Sequence, residues 1–182
     1  KLNVTENAVY SFFEDPETTP YISSFNSATL VGTATDYYLY YYADTNEYSQ
    51  LGNASSSYVM IDTDPLKMFE FPFNYGDQMV DSMHATYTLS SKIHQYSGFN
   101  SLVADGWGTL KLPKNSYPNV LRIKKIQYFK DTASGENTEN FTTMYSWYDG
   151  INNFPLLHAG FYKRYTFGNP TPTIYNYIFV SV

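Results

Sequence analysis

Four aromatic side chains close to turns, Trp107, Tyr117, Trp147 and Tyr148, are the residues of this sequence best suited to holding a ligand. An exposed indole or phenol offers a flat apolar face that can stack on a sugar ring, and a polar tip to complete the contact. The same rings also staple hairpins through cross-strand pairs. Each candidate therefore has a structural role that competes with a binding role.

Other chemistry is thinner. His84 and His94 fall on runs that read as neighbouring strands, so a two-histidine site with Asp77 or Asp81 is conceivable, and His158 stands apart. Calcium needs six to eight oxygens gathered in one place. Asp62 with Asp64, Asp77 with Asp81, and Asp149 with Asn152 and Asn153 carry the right atoms. Asp-Pro and Asp-Gly are equally turn chemistry. Gly106 and Gly108 bracket Trp107, but a phosphate loop needs amides converging at a helix N-terminus, and here a strand follows. No nucleophile elbow, zinc helix or dinucleotide fingerprint occurs, and the chain has no cysteine. No catalytic residue, metal or cofactor is assigned.

Composition narrows the partners. The chain has 182 residues, a formal charge of −6 and only 11 basic residues, so a phosphate-neutralising surface for nucleic acid is not expected. No apolar run approaches the roughly 18 residues of a membrane-spanning helix. Aromatics make up 19% of the chain, including 20 Tyr, a bias that suits pleated, half-buried surfaces.

The elements that must position these residues are strands. Apolar residues alternate in Met83–Leu89, with Met83, Ala85, Tyr87 and Leu89 on one face. Leu66–Phe73, Phe141–Tyr148 and Ile174–Val182 behave alike, and the aromatic run Tyr37–Tyr42 suits a strand buried on both faces or at the edge of a sandwich. In Val120–Lys130 the apolar set slips by one after Lys124-Lys125, which fits either a β-bulge or a strand crossing between packing environments. Turn signals such as Asp64-Pro65, Ser134-Gly135 and Asp149-Gly150 separate the runs. Helix is confined to a turn or two near 15–24 or 75–83, and the polar segment 131–140 reads as an exposed loop. The expectation is one all-β domain over 1–182, an antiparallel β-sandwich or barrel-like fold.

Three segments also resemble a known family: FEFPFNYGDQMVDSM (Phe69–Met83), ADGWGTLKLPKNSYPNVLRIKKIQYF (Ala104–Phe129) and YSWYDGINNFPLL (Tyr145–Leu157). Together they are similar to a domain of secreted Bacteroidota proteins that carry a C-terminal type IX secretion (Por) sorting domain. The central family pattern runs Asp-Gly-Tyr-Gly-Thr-Leu, a proline turn, then Asn-Val-Leu-Arg-Val-Lys; here Trp107 replaces the tyrosine and Ile123 the valine. The likeness covers roughly half the chain. It implies export to the cell surface or medium and brings no established activity with it. It also implies O-glycosylation at Ser82 and Thr132, within Asp81-Ser82-Met83 and Asp131-Thr132-Ala133, ahead of the Asn sequons at Asn3, Asn53 and Asn140.

The functional expectation is a non-enzymatic, extracellular binding or adhesion module, with an extracellular glycan or surface protein as partner, the glycan held through exposed aromatics. A carbohydrate- or peptide-active hydrolase and a structural spacer are the alternatives. A shallow row of exposed aromatics favours the first. A buried carboxylate or histidine with a displaced pKa inside a pocket favours catalysis.

Overall fold

Period-2 patterning recurs along the chain, and the runs that carry it lie largely in strands, Leu66–Phe73 only as far as Glu70. The computed structural model describes residues 12–151 and 154–180. The strands are β1 (Phe12–Glu14), β2 (Leu30–Ala34), β3 (Tyr37–Ala43), β4 (Glu47–Ser55), β5 (Tyr58–Glu70), β6 (Gln78–Leu89), β7 (Lys92–Lys111), β8 (Ser116–Ala133), β9 (Glu136–Tyr148), β10 (Leu157–Thr166) and β11 (Asn169–Val180). They form one 11-stranded antiparallel sheet in sequence order that does not close. Among the described residues the helical turns are 3-10, at Pro16–Thr18 and Ile22–Ser24. Segment 75–83 is a turn leading into β6.

A single sheet of this size buries little unless it bends. The bend falls at β5, which pairs with β4 from Tyr58 to Glu70 but with β6 only at Asp62 and Asp64. The N-terminal strands thereby fold over β7–β9, giving two packed layers from one continuous ribbon. Phe69 of β5 meets Tyr148 of β9 edge-on at 6.2 Å, and Phe13 stacks on Phe154 at 5.7 Å. Side chains stitch the gap at the bend: the Lys67 amide donates to Asp81 Oδ2 at 2.6 Å, and Asn100 Nδ2 donates to the Lys67 carbonyl at 3.2 Å.

The core comprises three groups along the fold: Phe25, Val31, Tyr40 and Ala54; then Met60, Leu66, Met83 and Ala85; then Leu102, Ala104 and Ile123. Met83 and Ala85 face inward as their alternation predicts, and Tyr40 and Tyr41 in the aromatic run are buried. The cover ends before the last hairpin. Ile174 and Ile178 lie on one face of β11 and Tyr175 and Phe179 on the other, and all four are exposed.

One expectation is corrected, and one open alternative is decided. Segment 131–140 is the tip of the β8–β9 hairpin, paired from Asp131↔Thr138 to Ala133↔Glu136. Its polarity reflects an exposed tip at 134–136 above polar contacts such as Tyr87 to Asp131, and Gly135 at φ +75 supplies the left-handed turn. The apolar slip after Lys124-Lys125 is not a bulge, because β8 stays in register with β9 throughout. Lys125 shares the inner face with Ile123, while Ile126 and Tyr128 turn outward. The change of pattern therefore marks a change of environment along one regular strand.

Candidate ligand groove

Trp107 sits between two irregularities. The register of β7 on β8 shifts between Ala104 and Gly106 and again between Gly108 and Leu110. A bulge adds a residue to one strand and re-aims the side chains beside it. Gly108 takes φ +153 and Asn119, on the facing strand, φ +58, conformations that loosen the ladder around the indole. Trp107 is 60% exposed as a result.

Arg122 is registered with Gly106 on one side and Trp147 on the other. A Cβ at position 106 would lie 3.2 Å from the Arg122 Nε, so glycine makes room for that side chain across β7. The Nε–H donates to Asp105 Oδ1 at 2.7 Å, and the guanidinium carbon lies 5.6 Å from the centre of the Tyr145 ring. Tyr145 and Trp147, two residues apart on β9, hold their ring centres 6.4 Å apart. An open groove of about 270 Å3 results, lined by Trp107, Trp147, Arg122, Lys111 and Val120 among others. The chain has two tryptophans, and both line it.

The outward face beyond the groove is also aromatic. Phe99, Tyr128, Phe141 and Tyr165 run across four adjacent strands with successive ring centres 6.0, 4.8 and 5.8 Å apart. Cross-strand aromatic contacts of this kind stabilise a sheet while leaving one ring face open.

The sequence candidates separate accordingly. Trp107 and Trp147 both line the groove, although the ladder sets Trp107 in the row of Leu121 and Trp147 in the row of Arg122. Tyr148 faces the opposite side, packs against the Leu102, Ala104 and Ile123 group, and has its phenol pKa raised by burial. Tyr117 pairs with Leu110 near the hairpin end, where its hydroxyl accepts from Asn115 Nδ2 at 3.1 Å. Arg122 and Tyr145 are additions that sequence reasoning missed. The Tyr145-x-Trp147 alternation places two rings on one face, but the partner strand that brings Arg122 between them is a matter of register. Ser82 is exposed on β6, and Thr132 donates its hydroxyl to the Gln95 carbonyl at 3.4 Å. Of the sequons, Asn53 is buried and accepts from the Tyr58 hydroxyl, Asn140 accepts from Tyr162, and Asn3 lies outside the described residues.

The titratable groups gather elsewhere. His94 and His84 lie on opposite faces, so the imagined two-histidine site does not form: His94 is buried with Nδ1 2.9 Å from Asp131 Oδ1, and His84 is exposed. Tyr87 donates to the other oxygen of Asp131 at 2.6 Å. Tyr87→Phe is expected to lower stability by about 1–2 kcal/mol in urea unfolding, the weight of one hydrogen bond to a carboxylate; an unchanged midpoint would show that this contact is idle. Asp62 is buried without a partner for Oδ1, and burial pushes its pKa up to about 7. Ser146 Oγ lies 2.7 Å from His158 Nδ1. Burial, and then the nearby Lys125, hold that imidazole down to about 4.

Neither displaced group lines the groove. Among the described residues no three acidic or histidine side chains gather as a metal site. Asp77 and Asp149 instead accept amides of their own turns, from Asn74 and Ile151, while Asn152 and Asn153 lie outside the described residues. Compared with family models, with curated proteins and with solved structures, the chain matches none.

Proposed function

We propose that the protein is a glycan-binding module of an exported or cell-surface protein, seating a sugar on Trp107 and Trp147 without cleaving it. One observation carries this reading: the chain's two tryptophans, 40 positions apart (147 − 107), line a single open groove. Indoles are costly to leave in water, and a pair of them on a bulge-shaped concavity suits the flat apolar faces of a pyranose. The resemblance of Phe69–Met83, Ala104–Phe129 and Tyr145–Leu157 to secreted Bacteroidota domains supports the extracellular setting. The charge of −6 speaks against nucleic acid, and among the described residues no helix is long and apolar enough to cross a membrane.

The hydrolase alternative would draw on Ser146 and His158. An imidazole held near 4 is neutral at pH 7 and a weak base there, and Ser146 is buried. Their hydrogen bond ties β9 to β10 in the manner of a structural contact.

Both tryptophans report on the groove, so intrinsic fluorescence is a direct readout. Titration with a panel of soluble oligosaccharides is expected to change that emission saturably for at least one sugar. Trp107→Ala and Trp147→Ala should each weaken binding about fivefold, since a stacked ring contributes about 1 kcal/mol beyond simple burial. Urea midpoints should stay unchanged for Trp107→Ala. A panel without any saturable response leaves the groove empty of function and favours the spacer alternative.

A further inference from the structure

Resting on that reading of the groove, we infer that its ligand is an acidic glycan, an oligosaccharide carrying uronic-acid carboxylates. The protein as a whole is acidic, yet the groove is not. Lys111 and Arg122 both line it, and among the described residues the acidic side chain paired with either of them is Asp105, bound to Arg122 Nε. One carboxylate against two cations leaves the groove with a net positive charge inside a chain of charge −6.

The donors are arranged for the task. Asp105 holds Arg122 through Nε, and the Tyr145 ring lies under the guanidinium. The side chain is thereby fixed in position while its terminal N–H groups keep their donor capacity. A guanidinium anchored in this way presents a planar fork that matches a carboxylate, and a charge-assisted pair is about twice as strong as a neutral one. Lys111 adds a second positive charge to the lining of the same groove. With the indoles stacking on the ring and the cations meeting the C6 carboxylate, the two kinds of contact fall on different parts of one sugar. Neutral sugars satisfy only the first.

The test compares oligogalacturonate with a neutral galacto-oligosaccharide of the same length, by tryptophan fluorescence at pH 7 and low salt. The acidic ligand is expected to bind at least about tenfold tighter, a preference that fades as salt rises to 0.5 M on the order of the screening length shrinking below 5 Å. Lys111→Gln should reduce the preference for the acidic ligand. Asp105→Asn, which relieves the guanidinium of its carboxylate, should strengthen it. Arg122→Gln should abolish it, with a urea midpoint to confirm that the variant folds. Equal affinity for the two ligands, both lost on Trp107→Ala, overturns the acidic preference and leaves the stacking site standing. Failure of both ligands together with every neutral sugar of the panel overturns the glycan reading itself.

Discussion

Asp62→Asn is expected to stabilise the protein by on the order of 3 kcal/mol at pH 8, with an advantage that shrinks steadily as the pH falls toward 4. Asp62 lies on β5 at the bend of the sheet, where β5 leaves β4 and briefly pairs with β6. It is 5% exposed, has Gln50 Nε2 at 3.5 Å from Oδ2, and has no partner for Oδ1. The groups facing it are tyrosines, and the phenols of Tyr37 and Tyr96 are pushed up by burial and further by the carboxylate itself. Burial raises the folded carboxyl from 3.8 to about 7. Between those values the folded protein keeps a proton that the unfolded chain has released. The contribution of Asp62 therefore falls as pH rises through this window, and the full cost applies above about 7. Asparagine does not ionise and escapes that cost.

His158 works in the opposite sense. Its folded value near 4 lies below the ordinary 6.5, so the unfolded chain holds the extra proton between them, and stability falls as pH drops through that range. The two groups oppose one another between about pH 4 and 6.5, which flattens the acid limb of the wild-type profile. In Asp62→Asn only the histidine remains, and the acid limb should steepen. Urea unfolding of both proteins at pH 4, 6 and 8 decides the matter. Parallel profiles would show that Asp62 reaches water in the folded state.

How far such a site is legible in the sequence depends on which part of it is local. The inward face of Met83, Ala85 and Tyr87 follows from alternation alone, because a strand with one dry side has no other way to arrange them. Trp107 and Trp147 stand out by residue type and by nearby turns. That they share a groove requires β7, β8 and β9 to be neighbours and the Gly106–Arg122–Trp147 row to be in register. Nothing within either segment states this. Lys125 misleads for a similar reason. A lysine normally signals the wet face, yet here it lies beside Ile123 on the inner side, where burial holds its amine down to about 8. The slip in the apolar pattern comes from polar Lys125 and Gln127 on the inner face while Ile126 and Tyr128 face outward. Segment 131–140 misleads in reverse, since the last rungs of a solvated hairpin need turn chemistry and backbone pairing, not apolar side chains.

Gly98→Ala is expected to destabilise the protein by about 3 kcal/mol or more. Gly98 is at the centre of the sheet, opposite Met83 of β6 and Phe129 of β8. A Cβ there would lie 2.2 Å from the Tyr128 carbonyl oxygen and 2.4 Å from Phe129 Cδ1. A ring can rotate away from such a contact, but a carbonyl engaged in the neighbouring strand cannot. The ring itself is confined, because Phe129 stacks on Tyr96 at 5.4 Å and packs with Met83 and Ala85 below. Relief therefore means moving β8 away from β7. That motion would carry Tyr128, which lies between Phe99 and Phe141 in the outer aromatic row, and would loosen the strand that delivers Arg122 to the groove. Gly108→Ala provides the contrast. No atom lies within 4 Å of its Cβ position, so only the φ of +153 opposes it, at about 1 kcal/mol. A Gly98→Ala protein that unfolds at the wild-type urea concentration would mean that β7 and β8 are not in this close approach. One that unfolds early while Gly108→Ala does not would show that the close approach of β7 and β8, and not a glycine's backbone freedom, is what the added methyl disturbs.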